Sequence, residues 1–237
     1  MTVRKVVTPV VLGLVLLALW LYVRAQPLDS IEARSLNADY LGSRTVKHLE
    51  LTAVAAVLIL LIAIPLGIAL TRPGARGVAG PVLALANIGQ AIPSIGLIVL
   101  FAVVLVAVGV NTIAVMTLVI YGLLPVLRNT MVGLQQVDSS VVEAARGMGM
   151  TKRGTLWRIE MPLAVPVILA GIRTALVITV GTVALATFIG AGGLGDVINN
   201  GISSNRNLVL VTGSVLVAVL ALLVDWIAEL AEDYLRP

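Results

Sequence analysis

The residues with the most chemical specificity lie in one charged loop between two apolar segments. Its spaced motif consists of Glu143, Ala144, Ala145, Gly149, Ile159 and Pro162. Small residues such as these leave a helix backbone open to close approach by another protein. The whole chain has a single histidine and no cysteine, which leaves little for the common nucleophilic hydrolases. We therefore predict that the loop docks against a partner and performs no catalysis.

The same loop contains signals for two short helices. Ser140 and Glu143 have the spacing of a capping box, which predicts a helix beginning at Val141. Thr151 can cap a second helix that ends before Pro162. Local chemistry alone also fits an amphipathic helix pair that lies on a membrane surface without a partner.

Composition identifies the class of protein. Of the 237 residues, 59% are hydrophobic and 12% are charged, against roughly 25% charged residues in a soluble domain. The mean hydropathy of +1.07 agrees with an integral membrane protein. The net charge of +4 comes from basic residues in short loops, which indicates membrane topology and no binding of nucleic acid. The histidine, His48, is expected to be a solvated loop residue, and a metal site is not expected.

Six segments have about the 20 apolar residues needed to cross a bilayer. They are Val6 to Val23, Leu51 to Leu70, about Val78 to Val110, Thr112 to Leu127, Leu163 to Ile189, and Leu208 to about Val224. The predicted fold class is therefore an all-α, polytopic membrane protein with six transmembrane helices. The docking helix pair lies between the fourth and the fifth. The third segment is too long for one straight crossing, and Pro93 is the natural place for a break.

The first segment is expected to be a retained anchor, although a signal peptide has a similar basic start. Residues 1–50 would then comprise this anchor and an extracytoplasmic loop, and residues 51–237 a transmembrane domain. If the charged loop faces the cytoplasm, six crossings place both termini there. Ten of the sixteen Lys and Arg residues then lie inside, in agreement with the positive-inside rule.

Polar residues within the apolar segments are candidates for a solute path. Asn87, Gln90 and Ser94 surround Pro93, and Tyr121 lies in the next segment. Broken helices near the membrane midplane commonly bind cargo in transporters. Interhelical hydrogen bonding between subunits explains the same residues equally well.

Arg173 is a charge within the fifth segment, where an unpaired guanidinium costs at least about 2.5 kcal/mol. We expect a structural anchor that bonds backbone carbonyls or Asp225. A direct role in a solute path is the alternative.

Two glycine patterns bear on nucleotide binding. The segment Gly190-Ala-Gly-Gly-Leu-Gly195 matches a dinucleotide fingerprint, but it follows an apolar span and lacks the required strand context. The chain contains no phosphate-binding loop of the form G-x-x-x-x-G-K-[ST]. The sequence therefore does not predict that this chain binds ATP phosphates.

The motif loop closely resembles the signature loop of ATP-binding-cassette (ABC) importer permeases of the type I fold, with Met161 where leucine is usual. Three further stretches, Asn87 to Pro93, Tyr121 to Arg128 and Pro162 to Arg173, together with the glycine-rich segment, resemble permeases for osmoprotectants. The resemblance covers roughly residue 51 to the C-terminus. It implies transport of a quaternary ammonium compound such as glycine betaine, choline or carnitine.

The resemblance also implies the partners and the location. These are ABC ATPase subunits that bind ATP and Mg²⁺, a second permease subunit, an extracytoplasmic solute-binding protein and the lipid of a prokaryotic cytoplasmic membrane. The chain itself would hold no cofactor. A permease for methionine or another small solute is an alternative, as is a carrier driven by an ion gradient. Such a carrier normally needs intramembrane carboxylates, and the spans before Asp225 contain none.

Overall fold

The computed structural model describes residues 2–235. Within this range the chain folds into eleven α-helices, with 3₁₀-helical and π-helical turns between some of them. The helices are α1 (Thr2–Arg24), α2 (Ser30–Ser35), α3 (Ala38–Thr71), α4 (Arg76–Ala91), α5 (Ser94–Val104), α6 (Val110–Gln135), α7 (Ser139–Gly147), α8 (Lys152–Thr155), α9 (Met161–Val183), α10 (Gly195–Ser203) and α11 (Asn207–Leu235). The all-α prediction is confirmed.

The number of membrane spans also agrees with the sequence. Among the described residues, five helices are long and apolar enough to cross a bilayer, and the count is six when the bent pair α4 and α5 is taken as one span. The axes of this pair differ by 94° across the break. Ile92 is extended, and Pro93 precedes the first turn of α5. The predicted break at Pro93 is therefore confirmed. Its physical cause is that proline has no N–H and cannot donate the backbone hydrogen bond that would continue α4.

Two helices extend well beyond their apolar segments. Helix α3 begins at Ala38, where the side chain of Asn37 accepts a hydrogen bond from the Tyr40 N–H at 2.8 Å. Much of the expected loop before residue 50 is therefore helical, and the proposed division between residues 50 and 51 falls inside α3. Helix α11 likewise continues past Val224 to Leu235. Hydropathy marks the apolar part of a helix, whereas caps and ion pairs set its ends.

Helix α6 lies at the centre of the fold between α3 and α9, and half of its apolar stretch is buried. Close packing against α9 depends on Gly171. A Cβ atom there would lie 2.8 Å from the backbone oxygen of Pro125 on α6. Small residues at such crossings bring helix backbones together, which is the main source of helix association in a bilayer.

The expectation that His48 is a solvated loop residue is wrong. The side chain is fully buried, with 0% exposure. Its Nε2–H donates to the Val180 carbonyl at 2.9 Å, and its Nδ1 accepts from the Leu194 N–H at 3.2 Å. The ring thus joins α3, α9 and the segment that follows α9. The error arose because α3 begins ten residues before His48 and carries it into the helix bundle.

We expect His48→Leu to lower the thermal stability of the purified protein. Leucine fills similar space but removes the bond to the Val180 carbonyl and leaves the Leu194 N–H without its His48 acceptor. An orphaned buried N–H costs about 1–3 kcal/mol, so Tm should fall by about 5 °C. Thermal unfolding in detergent measures the change, with Ser43→Ala at an exposed position of α3 as the control. An unchanged Tm for His48→Leu would contradict the bridging role.

Candidate functional site

The charged loop that contains the spaced motif, called the docking loop from here on, forms a helix pair. The N-terminal cap of its first helix differs from the prediction. Helix α7 begins at Ser139, and the Asp138 carboxylate accepts from the Ser140 N–H at 2.8 Å. The predicted capping box of Ser140 and Glu143 is therefore wrong. With Asp138 as the cap, Glu143 lies in the second turn of the helix and is too far along it to complete such a box.

The backbone N–H and hydroxyl of Ser140 lower the pKa of Asp138. Because the pKa of Asp138 is lowered in the folded state, the cap stabilises α7 at pH values above the ordinary pKa of a carboxyl group. That contribution is lost as the pH falls through the lowered pKa.

The second helix begins as predicted but does not end before Pro162. Thr151 accepts from the Gly154 N–H at 3.1 Å and caps α8. A π-helical turn, Leu156–Glu160, then joins α8 directly to α9. In this turn the Met161 N–H bonds to the Leu156 carbonyl five residues earlier. Pro162 lies in the first turn of α9, directly after the π-helical turn, and the helix continues through it.

Most of the motif lies on an open surface. Ser140, Glu143 and Ala144 are exposed, and a Cβ atom at Gly149 would have no neighbour within 4 Å. Ala145 is the exception and is buried, at 2% exposure. Helix α7 packs mainly against α8 and the π-helical turn that follows it. Ile159 is partly buried and Pro162 is exposed. The structure therefore offers an exposed surface of mostly small residues, and Ala145 is the buried member of the motif.

Gly149 determines the turn between the two helices. Its φ of 87° is in the left-handed region that disfavours residues with a side chain. Its N–H donates to the Arg146 carbonyl at 2.9 Å, and the Met150 N–H donates to the Ala145 carbonyl at 3.2 Å. These bonds close the end of α7 and set the direction of α8.

The structure brings some of the path candidates together and leaves others apart. The Gln90 amide donates to the Tyr121 carbonyl at 2.9 Å, and the Tyr121 hydroxyl donates to the Ile92 carbonyl. Both bonds join α6 to the break at Pro93, within one chain. Ser94 is partly buried at the start of α5. Asn87 is exposed and bonds its own helix at the Leu83 carbonyl, 2.9 Å away.

Arg173 pairs with acidic residues of α11. Its guanidinium donates to the Asp225 Oδ2 at 2.6 Å and to the Glu229 Oε2 at 3.3 Å. Asp225 is one of the two partners expected from the sequence. The Lys5 ammonium lies 2.8 Å from Asp233, so the start of α1 is also held to α11. Neither pair involves the docking loop.

The glycine-rich segment forms a compact turn after α9. Gly190, Gly192 and Gly193 have positive φ angles. Asp196 accepts from the Thr187 hydroxyl at 2.6 Å and pairs with Arg44 at 2.7 Å. No strand precedes this turn in the described part of the chain, so the geometry of a dinucleotide site is missing there.

Glu160 is a residue of the loop that sequence reasoning missed. It lies between Ile159 and Pro162, is 5% exposed, and contacts Arg72 at the end of α3. Only its position inside the spaced motif could have drawn attention to it, because a charged residue beside a loop usually faces solvent.

Comparison with known proteins decides the family. Residues 63–236 match the model described as "Binding-protein-dependent transport system inner membrane component". The chain belongs to this family. It is 39% identical over 208 residues to the carnitine transport permease OpuCD of Listeria monocytogenes, covering 87% of this chain and 92% of the relative. It is 40% identical to the osmoprotectant import permease OsmW of Salmonella typhimurium, with 89% and 98% coverage. Identity to the choline permease OpuBB of Bacillus subtilis is 38%, with 85% and 91% coverage.

Solved structures agree with the fold of an importer permease. A chain of the inward-facing methionine ABC transporter MetNI has a TM-score of 0.71 and 25% identity, covering 83% of this chain and 96% of its own. A chain from an amino acid ABC transporter has a TM-score of 0.68 and 18% identity, with 82% and 93% coverage, and shows the fold alone. The expected type I permease fold is thereby confirmed. The importer permease described here is a multi-pass inner-membrane protein.

Proposed function

We propose that this permease forms the membrane path of an ATP-driven importer for a quaternary ammonium osmoprotectant. The observation that carries the cargo class is the set of relatives named for carnitine, choline and osmoprotectants, which match over 85% or more of the chain. Glycine betaine, choline and carnitine share a trimethylammonium group, so one path could carry all three. Methionine, the cargo named for MetNI, is the competing small solute.

The exposed surface of α7 supports the coupling step. We assign contact with the ATPase to Ser140, Glu143, Ala144 and Gly149. Ala145, Ile159 and Pro162 position that surface against the bundle. The chain is not an enzyme in this proposal. ATP and Mg²⁺ bind to the separate ATPase, because the sequence has no phosphate-binding loop.

The broken third span supports the solute path. We assign Asn87, Gln90, Pro93, Ser94 and Tyr121 to the region of the break. Gln90 and Tyr121 hold the bend, and the exposed Asn87 amide is available to a solute or to a second subunit. Arg173 is assigned to structural support because both of its carboxylate partners lie on α11.

The remaining parts of the importer are separate polypeptides in this proposal. They are two ATPase subunits, a second permease of the same or a homologous sequence, and an extracytoplasmic binding protein that delivers the solute. Both termini face the cytoplasm. Lipid surrounds the exposed apolar faces of the spans, and nucleic acid is not a partner.

The cargo class is tested by uptake into proteoliposomes that contain the full complex and internal ATP. We expect saturable uptake of labelled glycine betaine, choline or carnitine, and at least tenfold less uptake of proline and methionine. Liposomes without ATP and liposomes with a proton or sodium gradient alone are the controls. Methionine uptake without any quaternary ammonium uptake would reject the cargo class. Uptake driven by an ion gradient alone would reject the importer.

A further inference from the structure

The side chain of Glu160 is a buried carboxylate beside the docking loop. It lies in the last residue of the π-helical turn that joins α8 to α9. Its Oε2 accepts from the Arg72 Nη2 at 2.7 Å, and the Glu160 side chain is 7% exposed. A π-helical turn inside a longer helix often marks a functional position. Here it places an acidic side chain of the docking loop beside Arg72 at the end of α3.

Arg72 is held in a defined orientation at the corner between α3 and α4. It is the residue that ends α3, and its Nε donates to the Ile68 carbonyl at 3.3 Å and to the Thr71 hydroxyl at 3.2 Å. Its own carbonyl accepts from the Ala75 N–H at 3.0 Å in the turn that leads into α4. Its guanidinium therefore connects Glu160 to the C-terminal end of α3, and the Arg72 backbone continues through residues 73–75 into α4.

We propose that the Arg72–Glu160 ion pair transmits movement of the docking helices to α4 and thereby to the break at Pro93. Apolar contacts between α9 and α3 have no preferred direction and permit sliding. A charge-assisted hydrogen bond fixes direction as well as distance. When an ATPase displaces α7 and α8, Glu160 moves with α8 because α8, the π-helical turn and α9 form one continuous helix. Arg72 then carries that displacement through residues 73–75 to α4. Arg72 and Glu160 are positioning residues, and this role rests on the proposed function.

The absence of cysteine from the sequence permits a direct test with introduced thiols. In the double variant R72C/E160C, the complex should assemble and hydrolyse ATP within about twofold of wild type. Uptake should fall at least fivefold. A bis-methanethiosulfonate reagent that bridges the two thiols should restore at least half of the uptake, since it replaces the ion pair by a covalent link. Methyl methanethiosulfonate, which modifies each thiol separately, should restore none.

The control is the double variant K5C/D233C. Lys5 and Asp233 also form an ion pair between two helices, at 2.8 Å, but away from the docking loop. The Lys5 side chain is as exposed as that of Arg72, and the Asp233 side chain is 16% exposed. Uptake by this variant should stay within about twofold of wild type with or without the bridge. The conservative variant Glu160→Gln, which retains a neutral hydrogen bond, should lower the ratio of solute transported to ATP hydrolysed at least twofold.

Two results would overturn the proposed role of the ion pair and leave the proposed function intact. One is wild-type uptake by unbridged R72C/E160C, and the other is bridged protein that assembles but regains no uptake. If the double variant does not assemble, an unchanged transport ratio in Glu160→Gln overturns the link. A wild-type complex that shows no ATP-driven uptake would overturn the proposed function and the link with it.

Discussion

Gly149→Val is expected to reduce ATP-driven uptake by the complete importer about tenfold while the membrane spans remain folded. Valine has the space it needs, because no atom lies within 4 Å of a Cβ built there. The cost comes from the backbone, since a φ of 87° is unfavourable for a β-branched residue by roughly 1–2 kcal/mol. Relief of that strain would change the angle between α7 and α8. A tenfold change corresponds to about 1.4 kcal/mol.

The matched variant is Gly149→Asn, because asparagine adopts the left-handed region more readily than most residues. It should keep at least half of wild-type uptake. Helical content and elution volume of each purified variant report the state of the fold. Wild-type uptake by Gly149→Val would show that the turn geometry does not matter for coupling.

Arg173→Met is expected to lower the yield of assembled protein several-fold. Methionine removes the charge that pairs with Asp225 and Glu229, and those carboxylates then lie near the apolar span without this partner. Breaking an ion pair of this kind costs about 2 kcal/mol or more. The measurement is membrane yield and monodispersity after extraction in detergent.

The double variant R173M/D225N should recover part of the yield because it removes one of the two carboxylates that pair with Arg173. Recovery beyond the single variant would indicate a structural pair. Normal yield of Arg173→Met together with an altered solute profile would contradict this expectation. That result would favour the alternative in which Arg173 takes part in the solute path.

The sequence predicted the features that depend on apolar length and on proline. The long uncharged stretch from Val78 to Val110 exceeded one crossing, and Pro93 was the residue that had to interrupt it. The pairing of Arg173 with Asp225 was also accessible, since a buried guanidinium needs a carboxylate and Asp225 follows the apolar part of the last span. Both expectations depend on single residues with strong physical constraints.

The features that the sequence did not predict depend on tertiary contacts. Ser140 and Glu143 fit the pattern of a capping box, but Asp138 caps α7 two residues earlier. His48 is polar and lies in a charged stretch, and only the fold brings Val180 and Leu194 to its ring. The partner of Glu160 is 88 residues away in sequence, so no local pattern could reveal it.

The docking residues were chosen on stronger sequence evidence than the residues of the solute path, and both assignments stay predictions. Its spaced motif identifies residues without knowledge of their neighbours, and the structure places most of them on an open surface. Gln90 was chosen as a polar residue beside Pro93 and Tyr121 as a polar residue of the next segment, and the structure shows them bonded across the break. Contact of these two residues with a solute stays a prediction.

The most direct test of the coupling role compares uptake of labelled choline, glycine betaine and carnitine by proteoliposomes with and without the ATPase subunit. Internal ATP and the binding protein are present throughout. The permease with its ATPase should accumulate at least one of these solutes against a gradient and should stimulate ATP hydrolysis. The permease without the ATPase should do neither. Accumulation that persists without the ATPase, or ATP hydrolysis by the isolated permease, would contradict the assignment of this chain as the coupling subunit of an ABC importer.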